Sequence, residues 1–310
     1  MSRLKLSVLL TALTLVSCFA VSASAAPRAF VAVHGNDANN CSSLAPCRTI
    51  MHALSVVDTM GEVIISESGD YDTFVIAQSV TVAAAPGIYA GITANTQDGV
   101  NIIRLSIADI VVLRNLTIIG TAAIDGISGI NNSTAGAGYL YVDNCYISGV
   151  TNGIWNSAPG KTIIHDTTVR RCLTGINIHS NGNINNVLVD NSRAERNNVG
   201  VSAGPNTRLT VHNCSIFSNT GSGVRVSSEL AGIQAEAIIE GSVFHANNTA
   251  VNVYGSSGGT GLARLSKNTI TKNLTGVNVP ASGTVYSLQD NIIVSNNVDI
   301  VGALTPLSYN

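Results

Sequence analysis

Charged residues are few: Asp, Glu, Lys and Arg make up 11% of the 310 residues, and the formal net charge is −2. With Arg3 and Lys5 at the extreme N-terminus set aside, 14 basic residues face 18 acidic ones, a net of −4. That balance excludes a polyanion-binding protein of the nucleic-acid type. Aromatics are scarce too, at 5% with a single Trp. After the first 25 residues no apolar run is long enough to span a bilayer. No segment carries ten or more residues of 3.6-residue apolar periodicity, which rules out helical repeats, and a chain that is 45% hydrophobic is too apolar to be disordered. What is abundant is Gly, with 29 residues, and Asn, with 32, both of which tolerate positive φ. Between them lie apolar runs of three to five residues rich in Val, Ile and Thr, the pattern of many short strands joined by tight turns.

The N-terminus reads as an export signal. MSRLK precedes an apolar run from Leu6 to Val21, and Ala23-Ser24-Ala25 offers a cleavage box before Ala26. Residues 1–25 are therefore expected to be removed and the protein to be secreted or periplasmic. The alternative is a lipid anchor through Cys18 in Leu15-Val16-Ser17-Cys18. Five cysteines follow, Cys41, Cys47, Cys145, Cys172 and Cys214, an odd number that cannot all pair internally. Cys41 and Cys47, in the loop NCSSLAPC, are expected to form a disulfide. As a metal site the pair lacks the further ligands that would complete four.

From about Val100 the chain falls into register with itself. LYVDNCYISGVTNGIWN, IIHDTTVRRCLTGINIH, LTVHNCSIFSNTGSGVRV and RLSKNTITKNLTGVNV are four of the copies. With Gly126, Gly153, Gly175, Gly200, Gly223, Ala250, Gly276 and Asp299 as markers the spacings are 27, 22, 25, 23, 27, 26 and 23, a solenoid period near 25. The column Asn115, Asn144, Asp166, Asn191, Asn213, Gly241, Lys267, Asp290 favours a left-handed bend in each coil. The next column, Leu116, Cys145, Thr167, Ser192, Cys214, Ser242, Asn268, Asn291, is expected to point inward and stack. Asn197, Asn219, Asn247, Asn273 and Asn296, with Cys172 in the same place one coil earlier, are expected to form a ladder of amides along the axis. Cys145, Cys172 and Cys214 then read as packing thiols, not ligands or nucleophiles.

Coils with such bends, Asn ladders and N-x-x-G-[Ile/Val] loops resemble the right-handed parallel β-helix of the pectate-lyase-like superfamily. The opening FVAVHGNDANNCSSLAPCRTIMHAL resembles that of a group of exported bacterial β-helix proteins. The resemblance covers about Phe30 to Ile300 and implies an all-β fold, a right-handed parallel β-helix solenoid with a short N-terminal capping helix. The expected layout is a signal peptide at 1–25, a cap at 26–60, the β-helix at 61–305 and a tail at 306–310. The helix is expected near Arg48–Val57, with Ile50, Ala53, Leu54 and Val57 on one face to cover the open end of the core and His52 as a partly exposed cap residue.

In the enzymes of that superfamily the cleft lies outside the sheet that corresponds here to the Gly-[Ile/Val]-x-[Ile/Val] strands. By alternation these strands display Ser128, Trp155, Asn177 with His179, Ser202, Arg225 with Ser227, Asn252 with Tyr254, and Asn278. The ligand-binding strip is accordingly assigned to Trp155, Asn177, His179, Arg225, Asn252 and Tyr254, suited to stacking on sugar rings and to polar contact. It contains no carboxylate, and Asp125 reads as the only loop acid close to it before Asp299. A glycosidase needs two carboxylates and a calcium-dependent lyase several; the superfamily's hydrolase and esterase motifs are absent as well. No catalytic residue is assigned and no cofactor is expected.

A second constellation precedes the bend: Arg114, Asp143, His165, Asp190, His212, Glu240, Ser266, Gln289. Asp143, His165, Asp190, His212 and Glu240 read as a surface ladder of opposite charges, with a metal site as the weaker alternative. The sequence thus points to an exported, non-catalytic protein that binds a polysaccharide or cell-surface glycan, with a polysaccharide lyase or hydrolase as the alternative. It assigns no oligomeric state.

Overall fold

A computed structural model describes residues 26–308 apart from 104, 121–126, 134 and 181. The signal, its cleavage box, Cys18 and Asp125 lie outside the described residues. The architecture is the expected one, a parallel β-solenoid with three sheets. A long sheet of 12 strands runs from Ala26–Val31 to Thr305–Pro306, and two further sheets have ten strands each. In each coil the chain passes from the long sheet to a short strand such as Tyr146–Ser148, then to a Gly-containing strand such as Asn152–Asn156, then back. Every named strand pair is parallel, and neighbours in a sheet come from successive coils.

The core is three stacks of inward side chains. Ile130, Ile154, Ile176, Val201, Val224, Val251 and Val277 superpose in the Gly-strand sheet, and Ile118, Ile147, Val169, Ala194, Ile216, Phe244 and Ile270 in the short-strand sheet. All but one are at most 1% exposed, the exception being Ala194 at 3%. Branched side chains at one level in every coil interlock with the same residue type above and below, which is why Val and Ile dominate.

The left-handed bend falls where expected at Asn115, Asn144, Asp166, Asn191, Asn213, Gly241 and Lys267, with φ between 45° and 62°. In the last coil it shifts to Gln289, because one extra residue enters the bend before Asn291 rejoins the inward column and accepts from the Asn268 backbone N–H at 2.9 Å. Gln289 is therefore a bend residue and not a member of the preceding column. The bend that carries the Asn column is left-handed too, a conformation that its residue types did not announce. It falls at Arg171, Arg196, Ser218, Ala246, Lys272 and Ser295, residue types with no preference for that conformation. From Arg196 onward the Asn that follows each holds it, and at Arg171 the residue that follows is Cys172, whose backbone N–H donates to Asn197 Oδ1 at 2.9 Å. Asn219 Nδ2 donates to Asn247 Oδ1 at 2.8 Å and to Ala194 O at 3.1 Å, while Asn219 Oδ1 accepts from the Asn197 backbone N–H at 3.0 Å. The ladder continues through Asn273 to Asn296, where Asp299 Oδ1 takes the place of the next amide.

The marker glycine of the first coil is Gly129, not Gly126. Gly-Ile occurs twice in GISGIN, and the sheet pairs Ser128 with Asn152 and Ile130 with Ile154. The marker glycines are set by close approach of coils: a Cβ on Gly153 would lie 2.4 Å from Gly175 O, and one on Gly200 2.5 Å from Gly223 O.

The helix is Ile50–Val56, with Ile50 and Ala53 buried and Leu54 and Val56 packed against the core. Thr49 caps it, its hydroxyl accepting from the His52 N–H at 3.1 Å. Asp37 accepts from the backbone N–H groups of Arg48 and Thr49 at 2.8 and 2.9 Å and from the Thr49 hydroxyl at 2.8 Å. Burial opposes charge on Asp37, but these bonds outweigh it and hold the carboxyl below its ordinary range. The Cys41–Cys47 disulfide closes the same loop, with the two Cα atoms 4.7 Å apart.

Cys145, Cys172 and Cys214 are buried thiols. Burial pushes Cys145 up to about 12 and Cys172 and Cys214 to about 11. Because these values are raised above the unfolded value of 9.0, the stability they contribute is complete below that pH, declines as pH rises above it, and is fully lost once pH has passed 11 to 12. Within residues 26–308, alkylation of unreduced protein at pH 8 is expected to leave all three unlabelled in the folded state and to label these three alone after unfolding. Peptide mass spectrometry checks this, and a bond involving Cys145 or Cys214 contradicts it.

Candidate functional site

Parallel pairing carries one outward residue per coil into a single row on the Gly-strand sheet: Asn101, Asn131, Trp155, Asn177, Ser202, Arg225, Asn252, Asn278. Ser128, expected in that row, is 3% exposed; Asn131 holds its place because the strand's register is set by Gly129. A second row brings Ser227 beside Tyr254.

Trp155, Asn177, His179, Ser202 and Arg225 converge on a concavity of about 480 Å³ whose walls include Gly204, Pro205, Glu229, Leu230 and Ser257. Asn252 and Tyr254 lie one coil further along and do not line it. Trp155 and His179 meet edge to face, with centroids 4.5 Å apart and planes at 79°. Burial lowers the His179 pKa, partly offset by the negative charge of Glu229, so the ring is neutral at neutral pH and offers one donor and one acceptor. The Arg225 guanidinium is aimed by Ser202, whose Oγ accepts from Nε at 3.2 Å and from Nη2 at 3.0 Å.

Glu229 corrects the reading that the strip has no acid. It sits in the turn that follows the strand Ser222–Ser228, so strand alternation could not place it. Asp98 is a second correction, since Asp125 is not the only acid close to the row before Asp299. Its carboxylate accepts from the Ser128 N–H and from Asn131 Nδ2, each at 2.7 Å. Asp98 lines a further concavity of about 510 Å³ on the same sheet, with Met51, Phe74, Gln97, Asn101 and Ile127 among its walls. Asn101 Oδ1 and, one coil on, Asn131 Oδ1 are buried with no hydrogen-bond donor from the protein.

On the long sheet the expected column is in register from Arg114 through Asp143, His165, Asp190, His212 and Glu240 to Ser266. Arg114 Nε meets Asp143 Oδ2 at 2.9 Å, His165 Nδ1 meets Asp143 Oδ1 at 3.2 Å, His212 Nδ1 meets Asp190 Oδ1 at 2.7 Å, and Lys267 Nζ meets Glu240 at 3.3 Å. The bond to Asp143 raises the His165 pKa, while burial opposes charge on Asp143 and its bonds to His165 and Arg114 outweigh it. Asp166, which belongs to the bend, adds a carboxylate beside His165.

Residues 125–298 match the sequence model of a right handed beta helix region, and the chain belongs to that family. No curated protein matches the chain by sequence. Among solved structures the chain is similar to a pectate lyase, Pel9A, at 17% identity over 89% of this chain and 78% of that one, with a TM-score of 0.52. It is also similar to XylC in complex with xylose, at 10% identity over 84% and 68%, with a TM-score of 0.57. A third likeness is to the A-module of the Azotobacter vinelandii mannuronan C-5 epimerase AlgE6, at 13% identity over 81% and 91%, with a TM-score of 0.51. At these identities the likeness is one of fold. Among the described residues no helix is long and apolar enough to cross a membrane.

Proposed function

We propose that the chain is an exported protein that binds an extended glycan along the row from Asn101 to Arg225. The observation that carries this reading is that two concavities, of about 510 and 480 Å³, share one row of a rigid sheet. At about 4.8 Å per coil the row is roughly 24 Å long, room for several sugar rings. Trp155 supplies an aromatic face and Arg225 a fixed cationic donor. The names of the three similar structures, a pectate lyase, a mannuronan epimerase and a xylose complex, support a saccharide ligand. The Cys41–Cys47 disulfide supports export, because such bonds persist in oxidising compartments.

One observation favours the alternative, a polysaccharide lyase or hydrolase: Glu229 shares the cavity with His179. Among the described residues that line that cavity, however, Glu229 is the only carboxylate, and glycosidic hydrolysis uses two. The reading is tested by calorimetric titration with acidic and neutral oligosaccharides, alongside assays for new reducing and unsaturated ends. Binding without turnover is expected. Turnover that disappears in both Glu229→Gln and His179→Ala would establish the alternative.

A further inference from the structure

The geometry points to a site for a divalent transition-metal ion on the long sheet, remote from the groove and formed by Asp143 Oδ1, His165 Nδ1 and Asp166 Oδ2. One ligand atom from each of these residues lies within 4.8 Å of the others. His165 Nδ1 is 3.2 Å from Asp143 Oδ1 and 3.5 Å from Asp166 Oδ2. The first of these is a hydrogen bond in the absence of an ion, and both spacings lie near the edge of a tetrahedron, about 3.3–3.4 Å, around an ion with bonds near 2.0–2.1 Å.

The outer oxygens of the two carboxylate ligands are also held, and a third carboxylate stands near the far imidazole nitrogen. Arg114 holds Asp143 Oδ2 at 2.9 Å, Asn191 Nδ2 donates to Asp166 Oδ1, and Asp190 faces His165 Nε2 at 3.5 Å. Orientation of an imidazole by a carboxylate on its far nitrogen directs the near lone pair to a metal. The backbone contributes as well: the left-handed conformation of Asp166, with φ 48°, turns the chain so that two consecutive residues present ligands to one point. Three carboxylates against one guanidinium leave a local charge that a dication neutralises, and the imidazole ligand selects Zn²⁺, Ni²⁺ or Cu²⁺ over Ca²⁺ or Mg²⁺. Three ligands leave a coordination position for water or an exchangeable group.

Titration of the purified full chain with Zn²⁺ at pH 8, where protons compete least for Nδ1, is expected to find one equivalent bound, with no heat from Ca²⁺. His165→Gln should weaken binding at least thirtyfold. Asp166→Asn, which keeps a residue suited to the left-handed bend and so preserves the fold, should weaken it about tenfold. His52→Ala, which removes the histidine beside the disulfide sulfurs of Cys41 and Cys47, should leave it unchanged. No Zn²⁺ binding by the native chain at 1 mM, undiminished binding in His165→Gln and Asp166→Asn, or loss confined to His52→Ala would each overturn the assignment.

Discussion

Asn219→Val is expected to lower the stability of the solenoid by roughly 4 kcal/mol. Asn219 is 1% exposed, and its side chain serves three partners: the Asn197 N–H, Asn247 Oδ1 and Ala194 O. A valine of nearly the same volume satisfies none of them, and the Asn197 N–H has no route to water from inside the stack. Each bond contributes about 1 kcal/mol net, and a buried donor left without a partner costs about as much again. Asn213→Val provides the contrast. Asn213 is exposed at the other bend with φ 51°, so the change acts mainly through the reluctance of a β-branched residue to adopt that backbone, about 1–2 kcal/mol. Urea unfolding of both variants is expected to rank Asn219→Val well below Asn213→Val. Equal losses would mean that backbone preference, and not the buried ladder, holds the second bend.

Arg225→Ala is expected to weaken oligosaccharide binding by about thirtyfold, the equivalent of ~2 kcal/mol for a charged donor. The size of the effect rests on preorganisation: Ser202 Oγ takes Nε and Nη2 and so fixes the guanidinium before ligand arrives. Ser202→Ala, which leaves the charge but removes its anchor, should cost a smaller factor of about three to five. Tyr254→Ala, one coil beyond the cavity lining, separates a short ligand from a long one. It is expected to leave disaccharides unaffected and to weaken longer chains that pass Arg225.

Much of the fold was legible because a solenoid repeats its local rules. Asn and Asp at one position, Gly at another and a buried amide at a third recur about every 25 residues, so the bend, the close approach and the ladder could be located from spacing alone. Legibility failed where the repeat was ambiguous or broken. GISGIN offers two Gly-Ile pairs, and the wrong one put Ser128 in the row that Asn131 occupies. The extra residue before Asn291 moved the last bend to Gln289. The left-handed conformation of the second bend stayed hidden because Arg196, Lys272 and Ala246 carry no preference for it, and the Asn that follows each enforces it. The groove was half visible. Alternation placed Trp155, Asn177, His179 and Arg225 on one face, but the walls come from turns, and Glu229 and Pro205 have no periodic position from which to be read. Asp98 escaped for the same reason, reaching the row from the turn before the strand Val100–Ile102.

The chain contains one tryptophan, and it stands in the proposed groove against His179, so its fluorescence reports on that surface alone. The most direct test of glycan binding is to titrate the purified protein with uronate-containing and neutral oligosaccharides of two to six sugars while following Trp155 emission. The account predicts a saturable change for at least one series, tightening with chain length up to the four or five sugars that the row accommodates and shifted about thirtyfold to higher concentration in Arg225→Ala. Saturable binding detected by calorimetry with no change in Trp155 emission, or an emission change of equal midpoint in native and Arg225→Ala protein, would contradict it.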